Sequence, residues 1–360
     1  MSVGTQPDPS QVSVPGLEAL TTVGSPKSQR IPALDFTKGT LVLLMVLYHW
    51  INYFIDPQWK YLFYLRFVTP SFIFISGFMV SHVYLSKYGA ADPRLWKRLM
   101  TRGLKLMTVF LVLNIVRIAV GAFVGHGVAL QNLISLQNLS AVFVSGDYPV
   151  AGVKLVSFGI LVPISYLLML LGALMFPYRL NLHTFHITFA VLLTFIAILA
   201  LAGIQNYILE FVAVGMLGVL TGFLPIRVID GFGRHPYWLA FAYLLYLIGI
   251  TMWGVPFLFQ IVAVLLNLGV IYLVGASGSR SGIVRTEIIV IGKYSLFAYI
   301  SQIAILQILS PMLHHTNLGF AVFPISFLAA FTLTILSVEL LDCTRIRFGS
   351  VDRLYKAVFA

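Results

Sequence analysis

Two ionisable side chains, Lys38 and His49, stand eleven residues apart in an otherwise apolar stretch. In a helix, eleven residues turn the chain through about 1100°, about 20° from three whole turns, and advance it about 16 Å. Lys38 and His49 therefore share one helical face. Asp35 stands three residues before Lys38, and Asn52 and Tyr53 follow His49 by three and four, so all five form one stripe. Histidine has an unperturbed pKa of about 6.5 and can take a proton near neutral pH. A hydroxyl is a weak nucleophile and needs such a base before it attacks an acyl carbon. The ammonium of Lys38, at the other end of the face, suits an anionic reactant. Asp35 lies one turn before Lys38, and Asn52 and Tyr53 extend the polar stripe one turn beyond His49. Each residue alone also has a plain reading. Lys38 near a helix end can snorkel to the headgroups, and His49 can simply hydrogen-bond a neighbouring helix. The aligned pair is more specific than either.

Other polar groups extend the candidate site. Arg117, with Asn114 three residues before it, and Glu210 fall inside apolar segments. Ionisable groups at such depth are functional candidates by default. An unpaired buried charge is very costly, so each needs a partner. They can pair with each other or flank His49, and an interhelical ion pair without chemistry would satisfy them too. Arg98 and Arg102, four residues apart, form a fork suited to phosphates, or serve only to set orientation in a membrane. Ser71, Ser76 and Gly77 are small enough to let another helix approach, in a packing or channel role. His314 and His315 are too few to indicate a metal, and no metal site is expected. There is no phosphate loop, dinucleotide fingerprint or nucleophile elbow.

The elements that must position these residues follow from composition. The 360-residue chain is 59% hydrophobic and 10% charged, with a mean hydropathy of +0.94. A soluble domain carries about 25% charged residues, so this composition excludes an ordinary soluble fold. The expected fold is all-α, a polytopic integral membrane protein. Apolar runs of about 20 residues mark about ten transmembrane helices: roughly 36–55, 61–85, 101–124, 154–176, 184–204, 206–224, 236–253, 255–275, 287–311 and 319–341. With the N-terminus inside, all of the 23 Lys and Arg except Lys60, Arg66, Arg117 and Lys154 fall in inner segments. This bias places both termini in the cytoplasm and explains the +11 charge without nucleic acid. The single cysteine, Cys343, then sits in a reducing compartment and excludes an intrachain disulfide. Residues 1–29 read as a disordered cytoplasmic tail, 30–345 as the membrane domain, and 346–360 as a short cytoplasmic C-tail.

With these residues in place, the chain resembles membrane acyltransferase family 3. RIPALDFTKGTLVLLMVLYH resembles the family's opening helix, with a basic residue, ten intervening residues and a histidine. SFIFISGF resembles its second-helix stretch, KRLMTRGLK its basic third-helix entry, and ILEFVAVGMLG the segment that carries its acidic position, here Glu210. GKYSLFAYISQ resembles a late segment that usually ends in histidine, where this chain has Gln302. The Asp35-Phe-Thr-Lys38 wording resembles the glucan succinyltransferase branch and also the heparan acetyltransferase relatives. The resemblance covers residues 30–358. It implies an O-acyltransferase that moves an acyl group, such as acetyl or succinyl, from a cytoplasmic thioester to a hydroxyl. Acyl-CoA would be a co-substrate, with no permanently bound cofactor. The implied partners are a glycan or glycolipid acceptor on the outer face, and membrane lipid. The implied location is a bacterial inner (plasma) membrane. His49, Arg117 and Glu210 are the expected catalytic group, and Lys38, Arg98, Arg102 and Asp35 the donor group. A transporter or flippase for an anionic or acylated solute is the competing reading, since intramembrane charges also mark transport pathways. No internal repeat supports it.

The basic bias makes the topology testable. A His315→Cys variant on a Cys343→Ser background should react with an impermeant thiol reagent added outside intact cells. Labelling only after the cytoplasmic face is opened would overturn the ten-span arrangement.

Overall fold

A computed structural model describes residues 31–55, 60–85, 92–123, 135–146, 156–176, 182–232, 236–253, 256–277, 282–314 and 319–359. The 1–29 segment and His315 lie outside the described residues. Everything described is helix or its connections. In chain order the α-helices are α1 (Pro32–Phe54), α2 (Val68–Met79), α3 (Pro93–Phe123), α4 (Leu136–Ser140) and α5 (Leu161–Met175). They continue with α6 (Leu182–Leu201), α7 (Tyr207–Gly222), α8 (Ile226–Phe232), α9 (Pro236–Trp253) and α10 (Phe257–Ser277). The last are α11 (Ile283–Lys293), α12 (Ser295–His314), α13 (Val322–Arg347) and α14 (Gly349–Phe359).

Seven helices are long and apolar enough to cross a membrane among the described residues. The shorter apolar helices at Leu161–Met175, Tyr207–Gly222 and Tyr237–Trp253 coincide with the other three expected spans. Two of the three are packed inside the protein. In α5 and α7 most side chains are buried, from Leu161 to Met175 and from Ile208 to Gly222. These are inner helices, shielded by their neighbours. By contrast α6 leaves Ile187, Val191, Phe195 and Ile198 exposed, an apolar surface suited to lipid.

Four expectations change in detail. The second span is not one α-helix: it opens as a 3₁₀ turn at Lys60–Leu65 and closes as a wider π turn at Val80–Leu85. The fourth begins at Leu161, because Val156–Ile160 is irregular and Phe158 has φ of +62°. The ninth is broken at Tyr294 into α11 and α12. The C-tail is an amphipathic helix, α14, in which Asp352 bridges Arg345 and Lys356. Hydrogen bonds from Lys356 and Arg345 hold the Asp352 carboxyl below the usual carboxylate range.

The core is built on close helix crossings. Pro32 starts α1 where its missing N–H costs nothing, and Asp35 in the first turn complements the helix dipole. α1 lies along α11, α2 along α7, and α3 along α5. Where α1 meets α11, a Cβ on Gly292 would overlap the Asp35 carbonyl, and one on Gly39 would overlap the Ile288 carbonyl. Gly77 plays the same part between α2 and α7, against the Gly215 carbonyl. Only glycine permits these backbones to touch.

Overpacking such a contact costs about 1–3 kcal/mol. Gly292→Ala should therefore lower the thermal midpoint of the purified protein in detergent. Gly269→Ala is the control, because a Cβ there meets nothing within 4 Å, and its midpoint should hold or rise.

Candidate active site

The α1–α11 contact brings Lys38 and Lys293 into the wall of one cavity of about 240 Å³. α1 contributes Lys38, α2 Ser76, α3 Arg102, and the α11–α12 segment Lys293 and Tyr299; α14 contributes Tyr355 and Phe359. The rest of the wall is apolar, from Phe72, Ile75, Leu99, Leu106, Ile164 and Leu168 among others. Three cations thus face a mostly apolar space. Lys38 is held by Asp35 at 2.5 Å, and Lys293 by Asp342 at 2.9 Å. The Tyr294 hydroxyl, at the break between α11 and α12, also donates to Asp342. Arg102 lies over the Tyr84 ring at 5.5 Å. No carboxylate among the described residues pairs with it, so its guanidinium is available to an anion.

Several expected residues fall elsewhere. Arg98 is exposed and outside the cavity wall, so the two arginines do not form one fork into it. Asp35 acts on Lys38 and does not line the space. Val42 and Met45, between Lys38 and His49 on α1, are fully packed. The apolar walls of the cavity come mainly from α2, α3 and α5. Ser76 lines it and donates to the Phe72 carbonyl. Ser71 is buried and its hydroxyl has no hydrogen-bond partner among the described residues.

His49 is half-buried and does not line the cavity. Its ring packs edge-on to Tyr48 at 5.3 Å, and its centre lies 6.4 Å from that of Tyr299. Tyr299 lines the cavity, so one side chain touches both the cationic space and the imidazole. Tyr299 packs in turn against Phe158, at 6.3 Å.

A second polar layer lies beyond this aromatic contact. Ser157 accepts hydrogen bonds at its hydroxyl from Gln307 at 2.7 Å and from Arg117 at 3.4 Å. Its backbone N–H donates to Asn114 Oδ1 at 2.8 Å, and Asn114 Nδ2 donates back to its carbonyl at 3.0 Å. Asn114 and Arg117 do share a face of α3, but their target is Ser157. Arg117 and Glu210 form no ion pair with each other. Tyr53 lies within electrostatic reach of Arg117. Glu210 sits in the first turn of α7, behind the Asn206 cap. Asn52 donates its side-chain N–H to the Tyr48 carbonyl, back along its own helix.

The sequence reading missed Ser157, Phe158, Lys293, Tyr299, Gln307 and Tyr355. Only Lys293 carried a signal, a lysine beside an apolar run, and there it was counted for topology alone. Gln302, one turn beyond Tyr299, is fully buried and neither amide atom has a hydrogen-bond partner among the described residues. A group left in that state costs about 1–3 kcal/mol.

The family model described as an acyltransferase domain matches residues 31–339, nearly all of the helical body. The chain therefore belongs to membrane acyltransferase family 3, and it is a multi-pass acyltransferase. Neither the curated proteins nor the solved structures give a match to it.

The Ser157 cluster has a stability signature. Interhelical hydrogen bonds in membrane proteins contribute about 0.6–2 kcal/mol each. Asn114→Ala removes both backbone tethers of Ser157 and should lower the thermal midpoint further than Ser157→Ala, which removes only the hydroxyl. The reverse order would show that the hydroxyl, not the backbone clamp, holds this turn.

Proposed function

We propose that this enzyme moves an acyl group from a cytoplasmic acyl-CoA-type thioester to a hydroxyl of an outer-face glycan or glycolipid. His49 is the general base in this reading. The observation that supports it most is the layout along α1: Lys38 stands in the wall of the cationic cavity, and the His49 ring packs with Tyr299, which lines the same cavity.

The basic end takes the donor. Phosphate or other anionic groups of the donor meet Arg102, Lys38 and Lys293, and charge-assisted hydrogen bonds of this kind are the strong ones. A space of about 240 Å³ is below the 300–1,000 Å³ usual for a drug-sized ligand. It suits the narrow thioester arm of the donor, with the nucleotide part left toward the basic surface. The acceptor hydroxyl approaches from the His49 side. His49 takes its proton as the oxygen bonds to the thioester carbon. The tetrahedral intermediate then collapses with cleavage of the C–S bond. The ester stays with the acceptor, the thiolate leaves toward the basic end and takes a proton from water there, and His49 gives its own proton up to water. Arg117, anchored on Ser157 and near Tyr53, and Glu210 at the start of α7 are the charged groups for the acceptor side. Asn52 and Tyr53 orient the acceptor.

General-base catalysis contributes about 10²–10⁴-fold. His49→Ala should lower kcat by that factor, read as acylated acceptor by mass spectrometry of surface glycans and lipids, with expression unchanged. Arg102→Ala should instead raise the apparent donor KM, because it removes ground-state binding. Near-wild-type acyl transfer by His49→Ala would overturn the mechanism.

A further inference from the structure

We infer that Tyr299 is the residue that limits acyl-chain length: it closes the donor cavity on the side of His49 and admits only a short acyl group. The inference rests on the donor reading above and adds the identity of the wall that measures the chain.

Tyr299 is 6% exposed and belongs to two environments at once. One face lines the cavity that holds Lys38, Arg102 and Lys293. Its ring also packs with His49, which does not line the cavity. An acyl chain entering from the cationic end therefore meets Tyr299 before it reaches the imidazole. A movable tyrosine would make a poor stop, but this one has a fixed backing. Phe158 stands against it with the rings nearly perpendicular, at 84°.

Phe158 itself is locked. It is the only non-glycine residue with positive φ among the described residues, at +62°. A bulky side chain holds that conformation only where its surroundings enforce it, and such strain clusters at functional sites. The enforcement is on the preceding residue, Ser157, whose N–H and C=O are both clamped by Asn114 and whose hydroxyl is held by Gln307 and Arg117. Strain, clamp and the edge-to-face rings together make a rigid wall.

The consequence is a register. A short acyl group ends against Tyr299 and leaves its carbonyl carbon near the ring edge, on the approach to His49. A longer chain stopped by the same wall holds its carbonyl back toward the cations, away from the base. Tyr299 thus selects by binding and by productive placement, and it acts on the substrate's tail without touching the reacting bond.

The test uses the full-length purified protein in detergent with acetyl-, butyryl- and octanoyl-CoA as probes, and reads thermal stabilisation over a concentration series. The wild type should bind acetyl-CoA at least as tightly as octanoyl-CoA. Tyr299→Ala should gain affinity for the longer thioesters, by roughly tenfold for each two added methylenes that the opened space buries. Tyr299→Phe should keep the wild-type order, because the wall is steric. If Tyr299→Ala does not fold, Tyr299→Leu should show the same shift in smaller degree. An unchanged chain-length order in the Ala or Leu variant, with the wild type binding thioesters, overturns this inference alone. A wild type stabilised by none of the three thioesters overturns the donor reading itself.

Discussion

The contact between α1 and α11 is the constraint on which the rest of the site depends. Gly39 and Gly292 let two backbones touch, and nothing larger fits. That contact sets Lys293 beside the stretch of α1 that carries Asp35 and Lys38. It also aims the chain so that α12, resuming after Tyr294, runs along α1 with Tyr299 against His49. A methyl group at either glycine would separate the two cations and the two rings together. The polar residues of the site are therefore positioned by the least polar and smallest ones.

The same logic separates what could be read in the sequence from what could not. Lys38 and His49 were legible because both lie on one helix, and helical periodicity alone places them on one face. The all-α membrane architecture was legible because apolar runs and basic flanks are physical necessities of a bilayer. Relations between helices were not legible. Arg117 and Glu210 invited pairing because each is a charge in an apolar run, yet spacing along a chain says nothing of distance across a bundle. Arg117 instead donates one N–H to Ser157, a serine in a short irregular segment with no distinguishing pattern. Phe158 could not be foreseen at all, since the left-handed region is where a phenylalanine is least expected. Arg98 and Arg102 are correctly one turn apart, but only Arg102 reaches the cavity.

Two layers with different physics therefore meet at Tyr299. On one side the cations are offset by carboxylates at Asp35 and Asp342 or lie over an aromatic ring, so their charge is tempered. On the other side the polar groups are neutral clamps around Ser157, with Arg117 as the one cation among them. The C-terminal helix closes the first layer. Arg345 stacks over Tyr355 at 4.0 Å and bonds to Asp352, which seats Tyr355 and Phe359 in the cavity wall.

The short inner helices carry a consequence for the membrane itself. A helix of 16 residues such as α7 is about 24 Å long, against about 30 Å for the hydrocarbon layer. Where such a helix crosses, at least one of its ends lies within the lipid tails, sheltered by the longer helices around it. The helices at the centre are thus shorter than the hydrocarbon layer that the outer ones are long enough to cross. A group that has to pass between the two faces travels a shorter apolar path beside these helices than through the lipid around them.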